Sequence, residues 1–396
     1  MKLSQKIENL SESQTIAMNR QSRELREKGV DVISLSLGEP DFTTPKFICN
    51  AAKKAIDQNF SHYPPIAGYK DLREAIAHKF QRDNNLNYDP EQIVVSTGAK
   101  QSIANVVLCL INPGDEVLLP APYWVSYYEI VKLAGGVPVV IPTSIEDDFK
   151  VNEKRLQEFT NSRTKLMIYS SPCNPSGSVY SEEELEGIAR WLRKNPEVMT
   201  ISDEIYELIN FGGSTPSLAT DESIYDQVIT INGLSKGFAM TGWRLGYLGA
   251  PLALAKACDK MQGQFTSAAC SITQRAAIAA LQANPQEVAY MKEAFAERRA
   301  LVTKGLTEIP GFEINNPKGA FYIFPRITAL LGKKFKGEEI KTSADLCMYL
   351  LREGGVGLVP GEAFGSPDCL RISYAAAEEE LKEALQRIAA AIKKLQ

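Results

Sequence analysis

The feature that most constrains this fold is an alternation of short apolar, β-rich runs with longer helical segments. Five such runs lie in the first two thirds of the chain, and they are IVVST (93–97), EVLLP (116–120), LMIYSS (166–171), VMTIS (198–202) and QVITIN (227–232). The segments that follow the first three have the length and apolar spacing of helices. Because parallel strands need a crossover, usually a helix, this order predicts a mostly parallel sheet with helices on both faces.

The chain changes character near residue 290, where long charged helical segments surround short strands such as FYIFP and CLRISY. This pattern indicates a second, smaller α+β lobe. A chain of 396 residues, 44% of them apolar, is also too long for one small core. We therefore expect an N-terminal segment that forms part of the small domain (1–44), a large domain that binds the ligand (45–290) and a small C-terminal domain (291–396).

Composition argues against several classes of function. The net charge is −4 with acidic and basic residues intermixed, so neither nucleic acid nor a membrane is an expected partner. Only two histidines occur, His62 and His78, which disfavours a histidine-based metal site or a Ser-His-Asp triad. The seven cysteines show no CxxC spacing, and no signal peptide or apolar stretch of about 18 residues is visible. These features predict a soluble, cytoplasmic protein with reduced thiols.

Polar residues occupy the ends of the predicted strands, where open α/β sheets bind ligands. Gly98, Ala99 and Lys100 follow the first run at the start of a helix, so backbone N–H groups there could hold a phosphate. Asn174 lies between two prolines in SPCNPSG, which fits a plain turn or an amide directed into a cleft. Asp203 directly follows an apolar run, where a carboxylate either caps the next helix or holds a cationic ring nitrogen.

A lysine and an arginine follow the last run, in the stretch INGLSKGFAMTGWRLGY. Taken alone, Lys236 fits a solvated loop charge and Arg244 fits a salt-bridge partner. In a cleft beside Ser235, however, burial would lower the pKa of Lys236 and make it a nucleophile. The planar fork of Arg244 suits a phosphate. Tyr206 lies three residues after Asp203, either on the same side of a helical turn or packed in the core.

Together these groups match the needs of one cofactor, pyridoxal 5′-phosphate. Its aldehyde requires a lysine, and its pyridinium nitrogen requires an acid. Successive strand ends supply a phosphate loop, an amide, an acid, a lysine and an arginine. A nicotinamide-dependent dehydrogenase would instead need a GxGxxG motif with an acid about 20 residues further on, and the sequence contains no such motif.

The chain closely resembles the class I, fold-type I aminotransferases, and within them the bacterial aspartate aminotransferases of the aspartate/prephenate subgroup. The motifs that carry the resemblance span almost the whole chain, and they are SLGEPDF, YPPIAGYKDLREAIA, STGAKQ, PYWVSYYEIVKLAGG, SPCNPSG, SDEIYE, SKGFAMTGWRLGY, KGAFYIF and CLRISYA. The resemblance implies an α/β fold with a mostly parallel seven-stranded sheet between helices and a smaller α+β domain. It also implies ping-pong exchange of an amino group between L-aspartate and 2-oxoglutarate.

The resemblance assigns roles around the cofactor ring. Lys236 matches the lysine that binds the cofactor covalently, and Asp203 matches the partner of the ring nitrogen. Asn174 and Tyr206 match the ligands of the 3′ oxygen, and Trp124 matches the aromatic residue stacked on the ring. Lys236, Asp203 and Tyr206 are therefore the expected catalytic residues.

The resemblance also places the phosphate and the neighbouring subunit. Tyr63 matches a tyrosine that reaches the phosphate held by the other subunit, which implies a homodimer with shared active sites. The positions expected around the phosphate are Gly98, Ala99, Lys100, Ser235 and Arg244.

Substrate binding follows from a further set of matches. Arg371 matches the arginine that pairs with the α-carboxylate, and Gly38 lies in the loop that closes over it. The stretch QGQFTSAACSITQ lacks the arginine with which animal-type aspartate enzymes hold the side-chain carboxylate. In the bacterial subgroup this role falls to Lys100 and Thr15, and the N-terminal segment is expected to close over the substrate. The expected substrate positions are Thr15, Gly38, Lys100, Trp124, Asn174 and Arg371.

Some alternatives stay open. Cys173 and Ser176 depart from the usual Asn and Thr of the SPCNPSG motif. A pyridoxal lyase or synthase, or an aspartate/prephenate, aromatic or alanine aminotransferase, would share Lys236, Asp203 and Arg244. A regulator that senses pyridoxal phosphate without catalysis would carry an added basic DNA-binding domain, which a net acidic chain does not suggest.

Overall fold

The strands of this chain form one large sheet and several small ones. The computed structural model describes residues 1–213 and 216–396. In this part of the chain the strands are β1 (Ile33–Ser34), β2 (Ile93–Ser96), β3 (Glu116–Pro120), β4 (Val137–Ile141), β5 (Thr164–Ser170), β6 (Met199–Asp203), β7 (Val228–Gly233), β8 (Gly246–Gly249), β9 (Tyr322–Ile323), β10 (Lys334–Phe335), β11 (Glu338–Glu339), β12 (Val356–Gly357), β13 (Val359–Pro360) and β14 (Leu370–Ser373).

The large sheet has seven strands in the order β2–β8–β7–β6–β5–β3–β4. Its neighbouring strands are parallel except at β8, which runs antiparallel to both β2 and β7. The predicted fold class is therefore confirmed. The sequence runs did not include β4 or β8, for local reasons. Pro138 within β4 is tolerated because β4 lies at the sheet edge, and β8 begins and ends with glycine, which has little strand propensity.

Helices cover both faces of the large sheet. The α-helices of the described residues are α1 (Gln5–Glu8), α2 (Gln14–Glu27), α3 (Lys46–Asp57), α4 (Lys70–Asn84), α5 (Ala99–Leu110), α6 (Val125–Ala134), α7 (Glu153–Phe159), α8 (Glu182–Lys194), α9 (Leu252–Phe265), α10 (Ser271–Gln282), α11 (Ala289–Thr307), α12 (Ser343–Gly354) and α13 (Glu378–Ile392). Because side chains alternate along a strand, Val117 and Leu119 join the core beneath α5, α6 and α9. Leu118 joins the core on the opposite face, with α4, α8 and α10.

The C-terminal region has a small sheet of its own. Strands β13, β14 and β9 lie side by side and antiparallel. This arrangement puts Arg371 of β14 and Tyr322 of β9 on adjacent strands. From the N-terminal segment, β1 pairs in parallel with β12. The domain boundaries at residues 44 and 290 stay a prediction.

The strand order brings the predicted site residues together at the carboxyl ends of the central strands of the large sheet. Strands β5, β6 and β7 are parallel neighbours, so their carboxyl ends lie together. Asp203 is the last residue of β6, while Asn174 and Lys236 follow β5 and β7 within a few residues. A ligand site is expected at the carboxyl ends of such strands.

Candidate active site

A cavity of about 250 Å³ opens at the carboxyl ends of β5, β6 and β7. Helices α5 and α6 border it on the large-sheet side, and α2, β9 and β14 contribute residues from the N-terminal and C-terminal regions. Most of the predicted site residues line this cavity, and they are Thr15, Gly38, Ala99, Lys100, Trp124, Asn174, Asp203, Tyr206, Ser235, Lys236, Arg244 and Arg371.

The amine of Lys236 lies inside the cavity and is only weakly basic. Its Nζ donates a hydrogen bond to the carbonyl oxygen of Gly38 rather than to a carboxylate. Burial lowers the pKa of Lys236 to about 8; the nearby charge of Glu39 opposes this shift, and that of Arg371 adds to it. About a tenth of such amines are uncharged at pH 7. Lys236 can therefore act as a nucleophile near neutral pH.

Asp203 is a buried carboxylate that accepts a hydrogen bond from a tyrosine. Burial raises the pKa of Asp203 to about 6, and hydrogen bonds from Tyr127 and from the backbone N–H of Ile205 limit the rise. Tyr127 Oη donates to Asp203 Oδ2 over 2.6 Å, and its ring lies edge-on to Trp124 with centroids 5.5 Å apart. Burial holds the pKa of Tyr127 well above its usual range, so the phenol remains a donor. Asp203 is thus largely ionised at neutral pH.

Arg371 is a buried cation, 1% exposed, in the wall of the cavity. Nη1 donates to Asn174 Oδ1 over 2.9 Å and Nη2 donates to the Ser36 carbonyl over 2.6 Å. Nε has no hydrogen-bond partner, and no carboxylate among the described residues pairs with the guanidinium. A buried charge left without a counter-ion is costly, so the site favours an incoming anion.

The start of α5 and Arg244 form a second anion-binding corner. Helix α5 begins at Ala99, so its first N–H groups have no carbonyl partner within the helix. Gly98 has a φ of 88°, and a side chain there would overlap the guanidinium of Arg244. Gly246 of β8 similarly leaves room for the backbone of Ala99. Glycine at these two positions therefore lets the arginine, the strand and the helix end approach one another closely.

Two tyrosine hydroxyls also meet in the lining of the cavity. The Oη atoms of Tyr206 and Tyr322 lie 2.9 Å apart, and the two rings are nearly perpendicular. Burial raises the pKa of each phenol, to a value well above the usual range for Tyr206. Both hydroxyls are therefore protonated and can donate.

Comparison with known proteins agrees with this geometry. Residues 30–388 match the family described as aminotransferase class I and II. The chain belongs to this family.

Relatives of this aminotransferase are similar along almost its whole length. A bifunctional aspartate aminotransferase and glutamate/aspartate-prephenate aminotransferase from Petunia hybrida is 47% identical, over 98% of this chain and 82% of that protein. The crystal structure of an aspartate aminotransferase from Rhizobium meliloti is 39% identical and covers 100% of both chains with a TM-score of 0.97. An aspartate aminotransferase from Thermus thermophilus with maleate is 37% identical, covers 99% of this chain and 100% of that one, and has a TM-score of 0.92.

At the rim of the aminotransferase cavity lie Lys100 and Thr15, the two predicted side-chain ligands. The Nζ atom of Lys100 stands 4.8 Å from the ring centre of Trp124. Burial lowers the pKa of Lys100, and the charge of Arg244 adds to this effect. The hydroxyl of Thr15 is buried, and no group in the described part of the chain forms a hydrogen bond with it. A cation and a free hydroxyl therefore flank the opening.

Two predicted residues of the aminotransferase lie outside the cavity lining. Gly98 sits behind Arg244, where it provides space rather than a contact. Tyr63 is 96% exposed on the surface of the chain. A single chain does not bring it to its own cavity, so its role across a subunit interface stays a prediction.

The aminotransferase site also contains two tyrosines that sequence reasoning did not single out. Tyr127 follows Trp124 by three residues, a spacing that puts both side chains on one side of α6 and could have revealed it. Tyr322 lies within the quoted motif KGAFYIF, but the motif itself gives no signal of contact with Tyr206, which is 116 positions away.

Proposed function

We propose that this aminotransferase uses pyridoxal 5′-phosphate to exchange an amino group between L-aspartate and 2-oxoglutarate, giving oxaloacetate and L-glutamate by a ping-pong mechanism. One observation carries the proposal: the weakly basic Lys236 shares a cavity with the buried, carboxylate-free guanidinium of Arg371. An amino acid presents a carboxylate beside its reacting carbon, so it needs both groups at once. The names of the Rhizobium and Thermus relatives support aspartate as substrate.

The donor set in the cavity suits pyridoxal phosphate. Arg244 and the first N–H groups of α5 would hold its phosphate together with Ser235. Asp203 would hold its ring nitrogen, and Lys236 would bind its aldehyde. The fit also explains why position 98 is a glycine, because a side chain there would displace Arg244 from its place beside the start of α5.

When bound, pyridoxal phosphate supplies an aldehyde and a conjugated ring that accepts electrons from the substrate Cα. Lys236 moves the Cα proton at its Nζ, since a pKa of about 8 lets it take up and release protons near neutral pH. Asp203 keeps a proton on the ring nitrogen by charge attraction. Tyr206 and Asn174 would donate to the ring oxygen, and Trp124 would stack on the ring.

The carboxylates of the substrate have two separate cationic partners. Arg371 offers its guanidinium to the α-carboxylate, while its bonds to Asn174 and Ser36 hold the fork in place. Such orientation raises the rate by fixing the Cα–H bond relative to the ring. Lys100 and Thr15, at the rim, would bind the side-chain carboxylate.

A second candidate substrate is prephenate or an aromatic oxo acid. The Petunia relative is named for aspartate and prephenate. A neighbouring cleft of about 590 Å³ shares Ser13 and Val125 with the active-site cavity. This space could hold a ring larger than the side chain of aspartate.

A homodimer with shared sites and a cytoplasmic location complete the proposal. Tyr63 and Phe265 are 96% and 69% exposed, although large aromatic side chains are usually covered. A second copy that packs on this surface would cover both side chains and bring Tyr63 to the residues that bind the phosphate in the partner subunit. Within the described ranges, no helix has the length and apolar character needed to cross a bilayer.

A half-reaction screen tests the function. The purified holoenzyme is mixed in turn with aspartate, glutamate, tyrosine, phenylalanine and alanine, without an oxo acid, and the cofactor spectrum is followed. Aspartate and glutamate should convert the cofactor to its amine form, and 2-oxoglutarate should reverse the change. Lys236→Ala should show neither change. No conversion with any amino acid would overturn the proposal, whereas conversion by tyrosine and phenylalanine alone would favour the aromatic substrate.

A further inference from the structure

Tyr322 contacts three parts of the site at once, although it lies on β9, which is not a strand of the large sheet. We propose that Tyr322 is a positioning residue that uses its hydroxyl to orient Tyr206 and its ring face to hold Arg371. This inference rests on the proposed function, because it assigns Tyr206 to the cofactor and Arg371 to the substrate. It gives one side chain two tasks, and these can be told apart because one substitution removes the hydroxyl alone and a second removes the ring as well.

The hydroxyl of Tyr322 can donate a hydrogen bond to Tyr206 and so leave the proton of Tyr206 for another acceptor. The two Oη atoms are 2.9 Å apart, and Tyr322 is 1% exposed. If Tyr206 gives its proton to an acceptor in the cavity, its oxygen is left to accept a bond from Tyr322. A hydrogen bond received by a hydroxyl strengthens the one that it donates. Tyr322 thereby makes Tyr206 a better donor to the ring oxygen of the cofactor.

The ring contact holds the substrate arginine. The guanidinium carbon of Arg371 lies 4.5 Å from the ring centre of Tyr322 and 5.0 Å from that of Phe364. Two aromatic faces thus accompany a buried cation that has no carboxylate partner among the described residues. Attraction to the ring quadrupole keeps the guanidinium in place. An anionic partner would neutralise its charge, whereas the aromatic rings do not. The positive charge remains available for the substrate.

A glycine is required beside the hydroxyl of Tyr322. A side chain at Gly38 would overlap Tyr322 Oη, while the carbonyl of Gly38 accepts the hydrogen bond from Lys236. The loop that contains Gly38, strand β9 and the loop that contains Lys236 therefore meet at this point. The pairing of Ser373 with Tyr322 in adjacent strands fixes the separation of β14 and β9, so Tyr322 and Arg371 keep their relative positions.

The test compares Tyr322→Phe, which removes only the hydroxyl, with Tyr322→Leu, which also removes the aromatic face. Tyr374→Phe is the matched control, since Tyr374 is equally buried in the C-terminal region and donates to the Ala320 carbonyl outside the cavity. Two properties of each holoenzyme are measured without turnover. The first is the pH titration of the cofactor absorbance, and the second is the Kd of succinate, an unreactive dicarboxylate, from the spectral change on binding.

Tyr322→Phe should raise the pKa of the cofactor absorbance by about half a unit to one unit. The reason is that a weaker bond from Tyr206 leaves more negative charge on the ring oxygen, which favours a proton on the adjacent nitrogen. Its succinate Kd should stay within about twofold of wild type, because the ring remains. Tyr322→Leu should show the same pKa rise and a succinate Kd weakened about tenfold. Tyr374→Phe should match wild type in both.

An unchanged absorbance pKa in Tyr322→Phe would overturn the hydroxyl role, whether or not Tyr322→Leu folds. Equal weakening of succinate binding in Tyr322→Phe and Tyr322→Leu would overturn the ring role. Failure of the proposed function looks different, because wild type would then show no cofactor absorbance or no response to succinate.

Discussion

Tyr127 and Asp203 form a buried donor–acceptor pair, with 2.6 Å between Oη and Oδ2, in the lining of the active-site cavity. The bond favours the ionised carboxylate against a burial effect that raises its pKa to about 6. Tyr127→Phe should therefore raise the pKa of Asp203 further and protonate it near neutral pH. A neutral acid attracts a pyridinium weakly, so cofactor affinity at pH 7 should fall about tenfold, a loss of ~1.4 kcal/mol.

The measurement for this variant is the dissociation constant of pyridoxal phosphate from pH 5 to pH 8. In wild type the affinity should drop as the pH falls through about 6, and in Tyr127→Phe the drop should begin at a higher pH. Tyr169→Phe is the control, because this buried tyrosine bonds to Ser202 away from the cavity. A Tyr127→Phe curve that overlays the wild-type curve would show that the bond does not set the ionisation of Asp203.

The low pKa of Lys236 predicts how the cofactor-free protein captures an aldehyde. The uncharged amine is the nucleophile, and the pKa of Lys236 is about 8. The capture rate should therefore rise about tenfold per pH unit below pH 8 and then level off. The rate is followed by borohydride trapping of added pyridoxal phosphate and peptide mapping of the modified lysine.

Lys236→Ala should trap nothing at this peptide, whereas Lys100→Ala should still be modified at Lys236. A capture rate that keeps rising up to pH 10 would contradict the assignment, because it would indicate a lysine with an ordinary pKa of about 10.4.

Residues that follow strands directly could be placed from the sequence. Asp203, Asn174 and Lys236 each come at or soon after the end of an apolar strand, and the ends of adjacent parallel strands converge. Their position depends on local pattern plus one rule of sheet topology. The wholly buried strands were also easy to recognise, and β3 coincides with the predicted run at 116–120.

Contacts that depend on tertiary packing could not be placed in this way. Tyr127 reaches Asp203 across 76 positions because α6 packs on the sheet, and Tyr322 reaches Tyr206 across 116 positions because β9 adjoins the cavity. Neither contact leaves a periodic signal in the chain. Arg371 came from the family resemblance alone, since an arginine on a short strand looks like an ordinary edge charge until its burial is known.

Substrate choice should depend on the rim of the cavity. Within residues 1–213 and 216–396, Lys100 lies over Trp124 and forms no salt bridge, and the Thr15 hydroxyl is buried without a partner. Lys100→Met should raise the KM for aspartate about 10- to 100-fold, as expected for loss of a charge-assisted bond, and leave that for alanine nearly unchanged. Thr15→Val should have the same selectivity with a smaller effect.

Steady-state kinetics with both amino acids measure this selectivity. Lys194→Met removes a lysine that pairs with Glu153 outside the cavity, and it should alter neither KM. If Lys100→Met weakened alanine and aspartate equally, Lys100 would serve the cofactor phosphate rather than the side-chain carboxylate.

The buried carboxyl group of Glu204, which has no part in the proposed reaction, should make the stability of the protein depend on pH. Its Oε1 accepts hydrogen bonds from Ser202 and Ser217, and its Oε2 is buried without a partner among the described residues. Burial raises the pKa of Glu204 to about 7. The unfolded chain, with an ordinary glutamate pKa of about 4.3, releases this proton at lower pH than the folded chain does. Stability should therefore fall as the pH rises from about 4.3 to about 7, and stay low above that range.

Glu204→Gln cannot ionise, so it should gain stability relative to wild type as the pH rises. The difference in the free energy of unfolding should be small at pH 4.5 and about 3 kcal/mol larger at pH 8. Urea denaturation at the two pH values measures it. Glu116→Gln is the matched control, because the buried Glu116 carboxylate has Arg163 and Asn161 as partners, and its substitution should destabilise the protein at pH 8. A Glu204→Gln variant less stable than wild type at pH 8 would mean that the folded protein holds this carboxylate ionised at little cost.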